Sequence, residues 1–234
     1  MKLSVIIPVF NEEKTILELL KKVKKADIQK IEKEIIIIDD GSTDKTRDIL
    51  RKIKSNKTKD KNIKIIFQDK NYGKGFAIRT GIKHSTGEII IIQDADLEYN
   101  PDEYYKLIKP ILEKKAEVVY GSRILNKNNK ISSLGFYLGG KFLTFLTNLL
   151  YNTKITDEPT CYKIFKKNIL KSIDLKCKRF EFCPEITAKI AKNKIKILEV
   201  PISYNPRHKN QGKKIKVRDG IIAIWTLFKY RFVE

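Results

Sequence analysis

The chain is expected to fold as an α/β domain, with a mainly parallel central sheet and helices on both faces. Three observations carry that expectation. Apolar runs of strand length alternate with stretches of helical spacing through the first half. The run Ile89-Ile-Ile-Ile92 is apolar at every position, as in a parallel strand covered on both faces. No internal repeat or low-complexity linker divides the 234 residues, a length that suits one large domain.

The elements follow in order. LSVIIPVF (3–10) is a strand, and residues 12–26 have helical spacing through Ile16, Leu19, Leu20 and Val23. EIIIID (34–39) is the second strand, after which Ser42 or Thr43 is placed to cap a helix running to about Ser55. IKIIFQ (63–68) is a third strand, followed by a helix over 73–84, and EIIIIQD (88–94) is the fourth. Pro101 suits the first position of another helix, and EVVYGS (117–122) is the fifth strand. The second half is less regular: a Lys/Asn-rich loop at 126–130, an apolar stretch at 134–152, a strand at 161–165, a helix at 184–191 and a strand at 196–202. A basic loop over 207–216 then leads to a closing helix with Trp225 and Phe228.

The fourth strand stops at two carboxylates, Asp94 and Asp96. Ligands of open α/β sheets sit outside the carboxyl ends of the strands. Two hard oxygen ligands there suit Mg²⁺ or Mn²⁺, which keeps its other positions for water and substrate phosphates. Other phosphate-binding devices are absent: there is no GxxxxGK[ST] loop, and Pro8-Val-Phe-Asn-Glu12 stands where a GxGxxG turn would follow the first strand.

The formal net charge of +21, from 49 Lys and Arg against 28 Asp and Glu, calls for an anionic partner. Nucleic acid is the poorer choice. The lysines are dispersed, and an acidic edge at Asp39, Asp40, Asp94 and Asp96 repels phosphates unless a metal intervenes. The densest basic run, 51–64, reads as a solvated helix end and loop. Cys161, Cys177 and Cys183 have neither paired nor zinc-ligand spacing, so a reduced, intracellular compartment is expected. The first strand begins directly after Met1, so no signal peptide is expected either. The stretch 134–151 is barely long enough to span a bilayer and carries Lys141 near its middle. It is either an interfacial helix or a buried amphipathic one.

Pro8-Val-Phe-Asn-Glu12, Asp39-Asp-Gly-Ser-Thr-Asp44, Asn71-Tyr-Gly-Lys-Gly75 and Asp94-Ala-Asp96 together resemble the family 2 glycosyltransferases of GT-A fold. Gly121-Ser-Arg123, Asp157-Glu-Pro-Thr-Cys-Tyr-Lys163, Phe180-Glu-Phe-Cys-Pro-Glu185 and Glu199-Val-Pro-Ile202 narrow the likeness. They point to the dolichyl-phosphate mannose synthase branch, over residues 3–216. The resemblance implies a single domain over 1–234, with a nucleotide-sugar half (1–122), an acceptor half (123–216) and a C-terminal amphipathic helix (217–234). It implies that Pro8, Phe10, Glu12, Ile38, Asp39, Asp40, Asp94 and Ala95 surround the nucleotide sugar. Asp94, Asp96 and Glu98 would take the diphosphate and its Mg²⁺ or Mn²⁺. Arg123 would face the phosphate of a polyprenyl (dolichyl) acceptor, with Lys141 near where a second acceptor-side Arg is expected. Arg207 with Lys213 or Lys214 would close over the donor. Glu98 departs from the Gln often found there, and Lys141 lacks the bidentate fork of Arg.

The activity implied is inverting transfer of a hexose from a GDP- or UDP-linked donor. A phosphate monoester needs no general base, since its second pKa is about 6. The rival, a transferase elongating a polysaccharide or glycolipid, needs a carboxylate base, for which Glu181 or Glu185 is available. Peripheral attachment to the cytoplasmic membrane face follows for a lipid acceptor, with a membrane protein as a further partner that could deliver it.

Overall fold

The computed structural model describes residues 1–55, 61–131, 133–207 and 214–233. In chain order the elements are β1 (Lys2–Val9), α1 (Ile16–Lys25), β2 (Glu32–Asp39), α2 (Thr46–Ser55), β3 (Ile63–Phe67), α3 (Lys74–His84) and β4 (Ile89–Ile92). A 3₁₀ turn (Pro101–Glu103) leads into α4 (Tyr104–Leu112), β5 (Val118–Ser122) and α5 (Leu134–Tyr151). Then come β6 (Lys163–Lys166), α6 (Lys167–Lys171), α7 (Phe182–Lys192), β7 (Ile197–Pro201) and α8 (Val217–Phe232).

The strands form one sheet in the order β3-β2-β1-β4-β6-β5-β7. All neighbours are parallel except β6, which runs antiparallel to both β4 and β5. Its apolar content looks the same in either direction, so only the register, Ile90 opposite Phe165 and Val119 opposite Ile164, reveals the reversal. The four isoleucines of β4 are fully buried, as a strand covered on both faces requires. In α1, Ile16, Leu19, Leu20 and Val23 face the core at the spacing of one helical stripe.

One local expectation is corrected. Neither Ser42 nor Thr43 caps α2. The helix begins at Thr46, whose N–H donates to Asp44 Oδ1 at 2.9 Å. Ser42 and Thr43 instead hold Asn11: its N–H donates to Ser42 Oγ at 3.0 Å, and its Oδ1 accepts from Thr43 N–H at 2.8 Å. That fixes the left-handed backbone of Asn11 (φ 52°) just where the chain leaves β1.

Helices α5 and α8 pack together through Leu143, Leu146, Ala223 and Leu227. Their other faces are exposed and apolar, at matching spacings: Leu134, Leu138, Phe142, Phe145 and Leu149 on α5, and Val217, Ile221, Trp225, Phe228 and Phe232 on α8. Among the described residues no helix is long and apolar enough to cross a membrane. Residues 56–60 of the basic run lie outside the described residues.

Candidate active site

Strand order reverses at β1. The chain moves outward through β2 and β3 and then returns to β4 on the other side of β1. This switch point leaves a crevice outside the carboxyl ends of β1 and β4, where α/β sheets bind ligands. A cavity of about 1290 Å³ opens there and extends past β5 towards α5 and α8. Pro8, Phe10, Glu12 and Asp40 line it beside β1 and β2, Asp94, Ala95, Asp96 and Glu98 line it after β4, and Arg123 and Lys141 line it beyond β5.

Asp40 is shaped by the turn before α3. Its Oδ1 accepts from Tyr72 N–H and its Oδ2 from Gly73 N–H, each at 2.8 Å. Burial pushes its carboxyl up while the two amides pull against that. Gly73 caps α3 at φ 100°, and a Cβ there would lie 2.4 Å from the Lys178 carbonyl oxygen, so the position requires glycine. Ile38 and Asp39 do not line the cavity. Ile38 is fully buried, and a Cβ on Gly81 of α3 would come within 2.9 Å of it. Asp39 is also fully buried, with Oδ2 accepting from Arg47 Nε at 2.8 Å. Both pack the sheet against its helices, Ile38 against α3 and Asp39 through Arg47 of α2.

On the floor, Lys74 Nζ lies 2.5 Å from Asp94 Oδ1. Burial lowers the Lys74 ammonium, but Asp94, then Cys161 and Cys183, together raise Lys74 above its ordinary value. Burial and the neighbouring charges of Asp94 and Glu98 push Asp96 up to about 7, with Arg207 opposing. Glu98 is engaged at both oxygens: Oε1 accepts from Arg207 N–H at 2.8 Å, and Oε2 accepts from Tyr204 OH at 2.9 Å. Among the described residues no group of three or more His, Cys, Asp or Glu side chains is arranged to hold a metal ion. Asp94 and Asp96, two carboxylates on the cavity floor that each meet one side-chain cation, have the hard oxygen donors that fit a cation drawing its remaining ligands from phosphate and water.

Glu12 also does something the motif did not announce. Its carboxylate accepts from Arg207 Nη1 at 3.2 Å and Nη2 at 3.1 Å, from Lys214 Nζ at 2.6 Å and from Thr15 Oγ1 at 2.7 Å. Arg207 Nη2 also lies 3.1 Å from Asp96 Oδ2. Lys214 further donates to the Phe10 carbonyl. Glu12 thus holds Arg207 and Lys214 at the end of the cavity lined by Phe10. Lys213 lies outside the described residues, as do residues 208–212.

At the end of β5, Arg123 lies against the ring of Tyr204, 5.0 Å from its centroid, and is paired with the buried Asp157. Lys141 is exposed at the cavity rim on α5. Glu181 and Glu185 line no part of the cavity. Glu181 accepts from the Lys178 and Arg179 amides. Glu185 accepts from the Lys176 and Cys177 amides, Lys189 Nζ and Tyr230 OH. Lys74, Asp157 and Tyr204 had no assigned role in the sequence reading. Lys74 and Asp157 stand within the quoted motifs, whereas Tyr204 carries no sequence signal.

A family model described as Glycosyl transferase family 2 matches residues 4–174. The chain is 36% identical over 212 residues to the UDP-N-acetylglucosamine--dolichyl-phosphate N-acetylglucosaminyltransferase of Methanococcus voltae, covering 84% of this chain and 83% of that protein. It is 28% identical over 217 residues to the dolichol-phosphate mannosyltransferase of Pyrococcus furiosus, covering 91% of this chain and 59% of that protein. Glucosyl-3-phosphoglycerate synthase from Mycobacterium tuberculosis, crystallised with Mn²⁺, UDP and glucosyl-3-phosphoglycerate, shares the fold. Its TM-score is 0.74 at 17% identity, over 100% of this chain and 81% of that one.

Proposed function

The chain belongs to glycosyl transferase family 2 and is a glycosyltransferase of GT-A fold, and from that premise we propose that it moves a sugar from a nucleotide sugar to a polyprenyl (dolichyl) phosphate. The observation that carries this reading is the pairing of two charge environments in one cavity. A carboxylate floor at Asp94 and Asp96 lies on one side, and a guanidinium at Arg123 on the other. The first suits a diphosphate with its cation, and the second suits a phosphate monoester. We place a UDP-linked N-acetylhexosamine ahead of GDP-mannose, because the relative that uses the former is the more similar over more of its length.

In this reaction an oxygen of the acceptor phosphate attacks the anomeric carbon. The bond from that carbon to the diphosphate breaks, and its electron pair leaves with the nucleoside diphosphate. A Mg²⁺ or Mn²⁺ ion held by Asp94 and Asp96 would neutralise charge on the departing diphosphate. Pro8, Phe10 and Asp40 flank the nucleotide, and Arg207 and Lys214 supply positive charge at the donor end. Arg123 orients the acceptor, which is already ionised at neutral pH and so needs no base. A hydroxyl acceptor fits less well, because both carboxylates open to that role are tied to backbone amides outside the cavity.

The exposed stripes of α5 and α8 suit the headgroup layer of a membrane, with Lys141, Arg218, Lys229 and Arg231 on the same two helices to meet anionic lipid. A panel of nucleotide sugars, each incubated with Mg²⁺ or Mn²⁺ and a short-chain prenyl phosphate, tests the proposal. The expected result is one lipid-linked sugar by mass spectrometry, formed with UDP-N-acetylglucosamine; no lipid-linked product from any donor would refute it.

A further inference from the structure

Arg123 leaves the carboxyl end of β5 with its guanidinium inside the cavity, and Asp157 grips it along one edge. Nε donates to Asp157 Oδ2 and Nη2 to Oδ1, each at 2.7 Å, and the Arg123 N–H donates to Oδ2 at 2.9 Å. Among the described residues Nη1 has no protein partner. Burial alone would raise the Asp157 carboxyl, but the Arg123 guanidinium beside it holds it below the usual range.

Asp157 is held in turn. The Thr156 N–H donates to Glu199 Oε2 at 2.7 Å, and the Asp157 N–H donates to Glu199 Oε1 at 3.1 Å. Ser122 and Thr156 share a hydroxyl hydrogen bond of 2.6 Å. The turn carrying Asp157 is therefore fastened both to β5, next to Arg123, and to β7.

We infer that Asp157 is a positioning residue for the transfer, fixing the guanidinium plane of Arg123 so that its unpaired Nη1 edge meets the acceptor phosphate, with Glu199 fixing Asp157. This rests on the reading of Arg123 as the acceptor residue. An arginine side chain free to rotate must lose that freedom when it binds a phosphate. One already clamped along Nε and Nη2 has lost it on folding and presents its remaining N–H groups in a set direction. The carboxylate also offsets part of the charge of Arg123, which moderates the hold on a phosphate that must be released after glycosylation.

The test compares Asp157→Ala, Asp157→Asn, Arg123→Ala and the Arg123→Ala/Asp157→Ala double variant in the full chain. The readouts are steady-state kinetics with a short-chain prenyl phosphate, calorimetric affinity for UDP and GDP, and melting. Asp157→Ala is expected to raise the acceptor KM about tenfold or more, with kcat and nucleotide affinity little changed. Asp157→Asn is expected to recover part of that, since its amide oxygen still accepts one N–H. On the Arg123→Ala background the Asp157 change is expected to add nothing, the signature of two residues acting as one unit. A folded Asp157→Ala protein with an unchanged acceptor KM, or with effects that simply add, overturns the inference. If Arg123→Ala itself leaves acceptor kinetics unchanged, the reading of Arg123 falls instead. Should Asp157→Ala fail to fold, Glu199→Gln is expected to raise the acceptor KM several-fold at unchanged nucleotide affinity, and no rise overturns the inference.

Discussion

Burial and the charges of Asp94 and Glu98 crowd Asp96, which is relieved in part by Arg207 and by the Glu98 N–H, which donates to Asp96 Oδ1 at 3.1 Å. Asp96→Asn removes charge but no core volume, so the melting temperature is expected to hold. Turnover with Mn²⁺ is expected to fall by about a hundredfold or more, because an amide cannot replace an anionic ligand. A normal melting curve with near-normal turnover would remove Asp96 from the site. Glu34 gives a second expectation, in stability. Burial opposes its ionisation, but Ser4 Oγ, the Thr86 N–H and Oγ1, and the Gly87 N–H all donate to it and hold its carboxyl at about 2 against an ordinary 4.5. Its folded value is the lower one. The stability it contributes is therefore complete above pH 4.5 and drains away as pH falls towards 2. Acid unfolding followed by circular dichroism should be less steep for Glu34→Gln over that window; an unchanged acid limb would contradict this.

At the scale of elements, α5 and α8 each expose an apolar stripe, with Phe145 at 61% and Trp225 at 64%. A Phe145→Ser/Trp225→Ser variant is expected to melt as the parent does, since neither side chain is in the core. Binding to anionic vesicles should weaken at every salt concentration, whereas added salt should weaken the parent by screening alone, over a Debye length of about 8–10 Å. Flotation of the variant equal to that of the parent would mean that these faces do not meet lipid. The elements themselves were largely legible. Continuous apolar runs of strand length exposed β1 to β5, and helical spacing exposed α1, because burial on both faces or on one stripe is written directly into the sequence. The direction of β6 was not legible, nor was the start of α2. Strand alternation is the same both ways along a chain, and several polar residues before Thr46 could each have served as the cap.

For the whole molecule, the site was legible where chemistry is concentrated in a short segment and obscure where it depends on distant partners. Asp94 and Asp96 announced themselves at the end of an apolar run. Asp39 looked like its neighbour Asp40, yet strand alternation turns it inward to Arg47, and only packing shows that. Glu12 stands in a sequence motif, but its anchoring of Arg207 and Lys214, which lie about two hundred residues further along the chain, shows only in the fold. Asp157 was part of a motif without a role until folding brought it to Arg123. The sheet places the carboxylates of Asp94 and Asp96 and the clamped guanidinium of Arg123 on one cavity.

The central claim is that the acceptor is a phosphate, and two acceptors with the same short prenyl chain, one the monophosphate and one the alcohol, test it most directly. With UDP-N-acetylglucosamine and Mn²⁺, the account predicts sugar transfer to the monophosphate alone, with one UDP released for each lipid product. Transfer to the alcohol at a comparable rate, or to neither lipid while a free saccharide is glycosylated, would contradict it.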